Sequence, residues 1–231
     1  MKYNYFVQNL VLKENGVDCV ETLNLVHDVR DVWCSLYQGM PVIGPWLEQR
    51  ISWLIKSWLP DWQVSSGQIF DPDQPNIRSR SWDIIVHKKP LKYLYLPPQA
   101  YPGSGYPLVP KNLCCAVIDS KNNFSDVVEY ANKSVFNLMN DAKEKQLDFL
   151  GNSISTCIFA CMSSSSPRSI EVKGSEVGLN VYVLGQYTAS KVSDGENRKL
   201  EWLLNDSDHS PLIRFRRELI RAAEAWENNN A

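Results

Sequence analysis

Residues 113–121 read LCCAVIDSK and residues 82–87 read WDIIVH, and these two stretches decide the fold class. Side chains along a strand point alternately to its two faces. The run LCCAVI is therefore apolar on both faces, which is typical of a strand at the centre of a sheet covered by helices. Asp119 and Lys121 end this strand on one shared face, where buried charges need partners.

Asp83 is also a charge within an apolar strand, because it interrupts the run WDIIVH. If the two strands are neighbours, Asp83 and Asp119 converge, and two close carboxylates repel each other unless a cation or a proton lies between them. Mg²⁺ prefers hard oxygen ligands, and Mn²⁺ suits the same ligands. The pattern therefore predicts a Mg²⁺ or Mn²⁺ site. Lys121 would stand beside it, to stabilise an anionic transition state or orient the attacking water.

Two other interpretations of these motifs stay open. The tripeptide DSK is also compatible with an ordinary Asp–Lys ion pair at a strand end. A second match to the same pattern runs from Glu171 to Lys173, after the serine-rich run SSSSPRS and before Gly174. Those surroundings predict a loop, and no apolar strand leads into it, so we favour Asp119 and Lys121 as the motif.

The other elements follow from hydrophobic periodicity and from breaks at Pro and Gly. Further strands are predicted at residues 63–70, 155–162 and 179–184. Helices are predicted at residues 17–37, 45–59, 125–149 and 211–226. Helices before, within and after a run of strands predict an α/β fold with a mixed central β-sheet flanked by helices.

The arrangement of two apolar strands that carry Asp and then D-x-K resembles the PD-(D/E)XK nuclease superfamily. Several stretches also resemble one uncharacterised bacterial family within it. They are GPWLE (44–48), LPDWQVSSG (59–67), SRSWDIIV (79–86) and AVIDSK (116–121). The resemblance covers roughly residues 40–145. One departure is Asp119, where Glu is commoner in that family, although the superfamily motif admits either residue.

The resemblance implies a single nuclease-like domain over residues 1–231, with a restriction-endonuclease-like core at about residues 40–185. An N-terminal helical segment, 1–39, and a C-terminal helix, 211–226, would flank that core. It also implies a set of site residues. The catalytic residues would be Asp83, Asp119, Lys121 and Glu48. The metal ligands would be Asp83, Asp119, Glu48 and the backbone carbonyl of Ser120.

Glu48 also has a physical argument of its own. It lies at helical spacings from Ile51, Ile55 and Leu59, so it shares the face of the helix that is predicted to point inward. The alternative is an acid in the first turn that complements the helix dipole. The sequence leaves these two interpretations equally open.

Basic residues surround the strand of Asp83. The formal net charge of the chain is -2, so contacts with nucleic acid would depend on local positive patches. The patch that brackets the predicted metal site comprises Arg78, Arg80, Lys88 and Lys89, with Lys92 nearby. A second patch on the C-terminal helix comprises Arg214, Arg216, Arg217 and Arg221. Solvated surface charge is the ordinary alternative for both patches.

Composition excludes several other classes of protein. The 231 residues, of which 44% are hydrophobic and 22% charged, are typical of a globular protein that buries a sizeable core. The six cysteines form no CxxC pair, which favours buried free thiols over a zinc site. No P-loop and no apolar segment of membrane-spanning length is present, and the N-terminus lacks the apolar core of a signal peptide, so a cytoplasmic protein with no membrane partner is expected.

The leading functional hypothesis is metal-assisted hydrolysis of phosphodiester bonds, with DNA favoured over RNA and endonuclease over exonuclease activity. The resemblance suggests a role in bacterial defence against foreign DNA, as a homo-oligomer or with a partner subunit. The main alternative is a catalytically inactive module that keeps the nuclease fold and binds nucleic acid or a partner protein. A third possibility is a purely structural subunit of a larger complex.

Overall fold

A computed structural model describes Leu25, Asp28 and a set of longer segments. These segments are residues 43–88, 108–124, 148–163, 166–176, 178–191, 198–204 and 210–230. Leu25 and Asp28 are helical, but the rest of the helix predicted at 17–37 lies outside the described residues. The same holds for most of the helix predicted at 125–149, for Lys89 and for Lys92.

Seven strands of the described residues form one sheet in the order β3-β1-β2-β4-β5-β6-β7. Their bounds are Gln63–Phe70 (β1), Arg78–His87 (β2), Leu108–Pro110 (β3), Cys114–Phe124 (β4), Ser155–Ser163 (β5), Asn180–Lys191 (β6) and Arg198–Leu204 (β7). Strand β3 pairs parallel with β1, whereas β1–β2, β2–β4 and β6–β7 are antiparallel. The sheet is therefore mixed.

Three helices have defined bounds: Ile43–Trp58 (α1), Pro167–Glu176 (α2) and Pro211–Asn230 (α3). In α1 the residues Leu47, Ile51 and Ile55 recur at helical spacing and are at most 1% exposed. Such a stripe is what drives an amphipathic helix onto a sheet. The α/β class with a mixed sheet flanked by helices, predicted from the sequence, is confirmed.

The chain divides into two compact units. Unit 1 comprises Met1–Gly44, Lys121–Leu138 and Ile158–Phe215, and unit 2 comprises Pro45–Ser120, Met139–Cys157 and Arg216–Ala231. The prediction of a single domain over the whole chain stays a prediction.

Unit 2 has a core built between β1, β2, β3 and β4. Its buried members are Ile69, Trp82, Ile85, Val109, Cys114, Val117, Leu150 and Ile154, with Phe149 packed against them. The last turns of α3 pack against residues of the same unit. Trp226 meets Trp62 edge to face, with ring centroids 5.4 Å apart, and its indole N–H donates to the carbonyl of Asn112 at 2.9 Å.

Unit 1 contains the hairpin of β6 and β7, which pairs Gly185 with Leu204 and Lys191 with Arg198. Helix α2 packs on β6. Gly174 of α2 is buried, and a Cβ atom added there would collide with the side chain of Val181. The absent side chain therefore allows the close approach of this helix to its strand.

Three elements of the structure were not predicted. Strand β3 falls in a Pro- and Gly-rich stretch that predicted only a loop, and its three residues form an edge strand, where Pro110 is tolerated. Strand β7 was missed, although Leu200, Trp202 and Leu204 alternate with polar residues.

The loop predicted around the second E-x-K match is wrong, because Glu171 and Lys173 lie in α2. Pro167 at the first helical position, where no N–H is needed, is a signal that predicts this helix start. No helix among the described residues is long and apolar enough to cross a membrane.

Candidate active site

Strands β2 and β4 bring Asp83 and Asp119 to neighbouring positions. The pairing of these antiparallel strands includes Ile85 with Val117 and Ile84 with Ile118. Asp83 and Asp119 are the next residue on each strand. Asp83 comes directly before Ile84 and Ile85, Asp119 comes directly after Ile118, and all three isoleucines are fully buried. The convergence of two carboxylates at the end of a buried ladder is therefore what the register produces.

On its other side, β2 pairs with β1, and this pairing is irregular near Asp83. Between β1 and β2 the pairs shift from Ser65–Ile85 to Gly67–Trp82, so β2 carries an extra residue beside Asp83. A second shift follows, between Gln68–Ser81 and Phe70–Arg78. Bulges of this kind bend a strand and re-aim its side chains. Gly67, with a φ of 138°, supplies the backbone conformation that a side chain would disfavour at the first shift.

The charge of Asp119 is balanced by Arg80. Asp119 is 6% exposed, and its Oδ2 accepts a hydrogen bond from Nη2 of Arg80 at 2.9 Å. The guanidinium carbon of Arg80 also lies 4.3 Å from the ring centroid of Trp82, at the distance of a cation–π contact. The buried carboxylate therefore has a fixed positive partner.

Asp83 is held by Ser120 of the adjoining strand. Its Oδ2 accepts hydrogen bonds from the backbone N–H of Ser120 at 2.8 Å and from the Ser120 hydroxyl at 3.3 Å. A carboxylate that accepts two such bonds is stabilised in its charged form. The side chain of Asp83 thus takes the N–H of β4 that a strand carbonyl would otherwise accept.

Lys121 lies one residue beyond Ser120 in β4 and is half-buried. By strand alternation it shares the face of Asp119. Its role in catalysis stays a prediction.

Glu48 lies in α1 and is half-buried, beside the buried residues Leu47 and Ile51. The helix begins at Ile43, so Glu48 lies beyond the first turn, and no acid occupies that turn. The alternative interpretation of Glu48 as a first-turn acid is therefore wrong. Within the described segments, however, no three His, Cys, Asp or Glu side chains are grouped closely enough to hold a metal. The structure thus brings Asp83 and Asp119 together without adding Glu48.

The donor set at Asp83 and Asp119 suits a hard divalent cation. Two carboxylates next to the Ser120 carbonyl offer the oxygen ligands that Mg²⁺ prefers, and Mg²⁺ normally keeps several waters. Two protein carboxylates are therefore enough for a site of this class. These residues fit a metal of the type predicted from the sequence.

Three of the basic residues predicted to contact nucleic acid already make intramolecular contacts. Arg80 pairs with Asp119, as described above. Nζ of Lys88 lies 2.6 Å from Oε1 of Glu227 and 4.5 Å from the ring centroid of Trp62. Arg78 is half-buried and donates from Nε to the carbonyl of Pro75 at 3.4 Å. Lys89 lies outside the described residues.

The arginines of the C-terminal helix also take part in intramolecular contacts. Within unit 1, Arg214 donates to both carboxylate oxygens of Glu171, at 2.8 and 3.0 Å. Within unit 2, Arg221 pairs with Glu218 in the same way. The pair of Glu171 with Arg214 gives the second E-x-K match a structural role.

Four of the six cysteines are described, and all four are free and buried. Burial raises the pKa of the Cys157 thiol to about 12, and it also raises the pKa of Cys114, Cys115 and Cys161. Thiols with pKa values raised in this way are poor nucleophiles. The interpretation of these four as free core residues is confirmed, and Cys19 and Cys34 lie outside the described residues.

Sequence reasoning did not assign Arg80 to Asp119. Two residues separate Arg80 from Asp83, so regular alternation would place them on opposite faces of β2. The bulges of β2 remove that constraint, and a bulge leaves no mark in the alternation of polar and apolar residues. The polar stretch SRS before Trp82 was the one available signal that β2 starts earlier than predicted.

Comparison with known proteins gives a likeness of fold. No family model matches the chain, and no curated protein matches it. Among solved structures, NucC of P. aeruginosa ATCC27853 in its cAAA-bound form superposes with a TM-score of 0.55 at 13% identity, covering 94% of this chain and 98% of that chain. The cAAA-bound form of NucC from E. coli MS115-1 gives a TM-score of 0.53 at 14% identity, covering 95% and 99% of the two chains. At these identities the chain shares the overall α/β fold of NucC.

Proposed function

We propose that this chain is a metal-dependent nuclease that hydrolyses phosphodiester bonds of DNA in bacterial defence, as an endonuclease. The observation that carries the proposal is the placement of Asp83 and Asp119 on neighbouring strands at the end of a buried ladder. Paired carboxylates that close a buried strand pair are costly unless a cation is to be bound there.

The comparison supports the same proposal. NucC, whose fold this chain shares over more than nine-tenths of its length, is a PD-(D/E)XK-type nuclease of antiphage defence. Fold likeness alone does not assign an activity, since folds persist when function changes. The weight therefore rests on the two carboxylates and on Lys121, which occupy the positions of the D and D-x-K residues in the motif.

Each residue would contribute a separate part of the chemistry. Asp83 and Asp119 would bind Mg²⁺ or Mn²⁺, with the Ser120 carbonyl as a further proposed ligand. A bound divalent ion supplies Lewis-acid stabilisation of the phosphate and a more acidic water. The ammonium group of Lys121 would stabilise negative charge as it develops on the phosphate oxygens.

The test is cleavage of supercoiled plasmid DNA by the purified chain with Mn²⁺ or with EDTA. Each reaction is run with and without cAAA, because both NucC neighbours are cAAA-bound forms and this chain would need a similar ligand if it is regulated similarly. Asp83→Asn and Asp119→Asn should abolish cleavage. Asp73→Asn is the matched control, because it removes one charge from the exposed β1–β2 turn and should leave cleavage unchanged.

The outcome separates the proposal from its main alternative, an inactive nuclease-fold module. The contacts of Arg80 with Asp119 and of Ser120 with Asp83 favour that alternative to some degree, since they balance both carboxylates without a metal. An inactive module would bind DNA with the same affinity in Mn²⁺ and in EDTA, and it would cleave neither DNA nor RNA under any of these conditions. That pair of results would contradict the proposed activity.

A further inference from the structure

Among the described members of the predicted DNA-contacting set, Arg80 lies directly on the candidate site. Its Nη2 is 2.9 Å from Oδ2 of Asp119, an oxygen that the proposed function assigns to the metal. The side chain of Arg80 is 38% exposed, whereas that of Asp119 is 8% exposed. Arg80 is therefore the more exposed partner of a nearly buried carboxylate.

Arg80 is held in this position by more than the ion pair. Its guanidinium carbon lies 4.3 Å from the ring centroid of Trp82, and Trp82 is itself a buried member of the unit 2 core. A planar guanidinium stacked on a buried ring loses less conformational freedom when it forms a hydrogen bond than a mobile lysine does. Arg80 also lies within the second register shift of β2, between Ser81 and Arg78, where a bulge can re-aim a side chain.

Two cations cannot share one carboxylate oxygen without repelling each other. A divalent ion that approaches Asp119 must either displace Arg80 from Oδ2 or bind beside its positive charge. Both routes weaken metal binding relative to a site that lacks the arginine. The same guanidinium compensates the charge of the Asp119 carboxylate when no metal is present.

We infer that Arg80 is a positioning residue that acts as the internal counter-ion of Asp119 and competes with the divalent metal for it. This inference rests on the proposed function, because it assigns the competing ion to the same site. It replaces the role predicted from the sequence, in which Arg80 contacted the phosphate backbone of DNA. Metal occupancy of the site thereby depends on release of one intramolecular ion pair.

The experiment is a calorimetric titration of the metal-free full chain with MnCl₂, so no catalytic readout is needed. Arg80→Gln removes the competing charge and should bind Mn²⁺ about tenfold tighter than the wild type, the size expected for one charge-assisted hydrogen bond. Arg80→Lys keeps the charge but lacks the planar fork, so its affinity should lie between the two. Arg78→Gln is the control, because it removes the same charge two residues away on β2.

The order of affinities decides the inference. Mn²⁺ affinity that rises from the wild type to Arg80→Lys and again to Arg80→Gln supports the inference. If Arg80→Gln does not melt cooperatively and is therefore not folded, tighter binding by Arg80→Lys than by the wild type is sufficient support. Equal affinities of the wild type and both Arg80 variants would overturn it while leaving the proposed metal site intact. An equal gain in Arg78→Gln would also overturn it, because general charge would then be the cause. Absence of Mn²⁺ binding in every variant would overturn both this inference and the proposed function.

Discussion

At the scale of single residues, Asp83 and Asp119 differ in how their charge is stabilised. Asp119 faces a guanidinium, and Asp83 accepts hydrogen bonds from the N–H and the hydroxyl of Ser120. The negative charge of each aspartate is therefore compensated by groups of the protein itself. The site is therefore prepared for charge before any metal arrives, which is the condition under which a bound ion meets ligands already in place.

Substitution of Lys121 should distinguish the effect on catalysis from the effect on metal binding. Lys121→Ala should reduce DNA cleavage by at least about a hundredfold, a typical loss when one electrostatic stabiliser of a transition state is removed. It should leave Mn²⁺ affinity largely unchanged, because an ammonium group donates no ligand to a metal. Asp119→Ala should lose both. Cleavage rates and Mn²⁺ titration of the two variants check this, and a Lys121→Ala protein that loses its fold would point instead to a structural Asp–Lys pair.

His87 makes stability depend on pH. It is fully buried, donates from Nδ1 to the carbonyl of Lys88 at 2.8 Å and lies 3.1 Å from the Ser65 hydroxyl through Nε2. Burial lowers the pKa of His87 below its ordinary value of 6.5, and the hydrogen bond to Lys88 offsets this in part. Below pH 6.5 the unfolded chain therefore binds a proton that the folded chain resists. Stability should fall with decreasing pH, by at most about 1.4 kcal/mol per pH unit for this one group.

The check is urea unfolding at pH 7.5 and pH 5.5 for the wild type and for His87→Gln. The carboxylates are the same in both proteins. The difference between the two proteins in how the free energy of unfolding changes with pH is therefore the contribution of the His87 imidazole. The His87→Gln variant should be less stable than the wild type at pH 7.5, because the glutamine side chain fills the site less well. Equal pH dependence in the two proteins would show that His87 does not titrate on unfolding in this range.

The convergence of Asp83 and Asp119 could be predicted from sequence because both interrupt or end runs of apolar residues that only a buried strand explains. The partner of Asp119 could not be predicted. A charged residue in a polar stretch such as SRS predicts exposure, and its contact with Asp119 depends on two register shifts that no residue type announces. Glu48 shows the converse: its inward face was predicted, yet that alone does not carry it to the two aspartates.

At the scale of elements, the predicted strands of the core agree with the structure because their signal is burial itself. Strand β1 has the predicted bounds, and β5 and β6 extend the predicted segments by one and by several residues. Strands β3 and β7 lie at the two edges of the sheet, and the three residues of β3 are too few to form a periodic pattern although Leu108 and Val109 are buried. Helix α2 was missed because its serine-rich start and its Gly174 both favour a loop in isolation.

The contact of α2 with β6 gives a prediction about Gly174. An alanine in a helix is normally more stable than glycine by about 0.5–1 kcal/mol. At Gly174 the added methyl would meet the Val181 side chain and lie 3.2 Å from the Leu179 carbonyl, so overpacking of about 1–3 kcal/mol should win. Gly174→Ala should therefore lower the free energy of unfolding. Denaturant unfolding measures the change.

Gly44→Ala is the matched control, because Gly44 is also helical and an added Cβ atom there has no neighbour within 4 Å. Any loss of stability should be smaller than in Gly174→Ala, because only the following Pro45 disfavours a side chain at this helical position. A rise in both variants would mean that the helix of Gly174 moves away from Val181 without cost.

At the scale of the whole molecule, a net charge of -2 leaves no general attraction for DNA. Binding should weaken with salt in proportion to the number of local phosphate contacts on which it depends. Arg78→Gln should reduce the magnitude of the slope of log K against log salt by about 1, whereas Lys88→Gln should change it less, since Glu227 and Trp62 already hold Lys88. Fluorescence anisotropy of labelled DNA over a salt series measures both slopes. Equal effects of the two substitutions would contradict the distinction.

The architecture as a whole was predictable because two strands fixed the centre of the sheet and the apolar helices supplied its layers. The organisation of the chain above the level of the sheet was not predictable. Neither the division into two units nor any oligomeric state has a counterpart in hydrophobic periodicity, which records only whether a residue is buried and not what buries it.

The edge-to-face pair of Trp62 and Trp226 has an optical consequence. Two indole rings with centroids 5.4 Å apart and planes at 79° are close enough for their excited states to couple, which gives a circular dichroism signal between about 220 and 235 nm. Trp226 lies near the end of α3, so this signal reports whether the last turns of that helix are seated. Loss of the band ahead of the far-ultraviolet helical signal during heating would reveal fraying of the chain end as a separate early event. Trp226→Phe should erase the band and leave the helix intact.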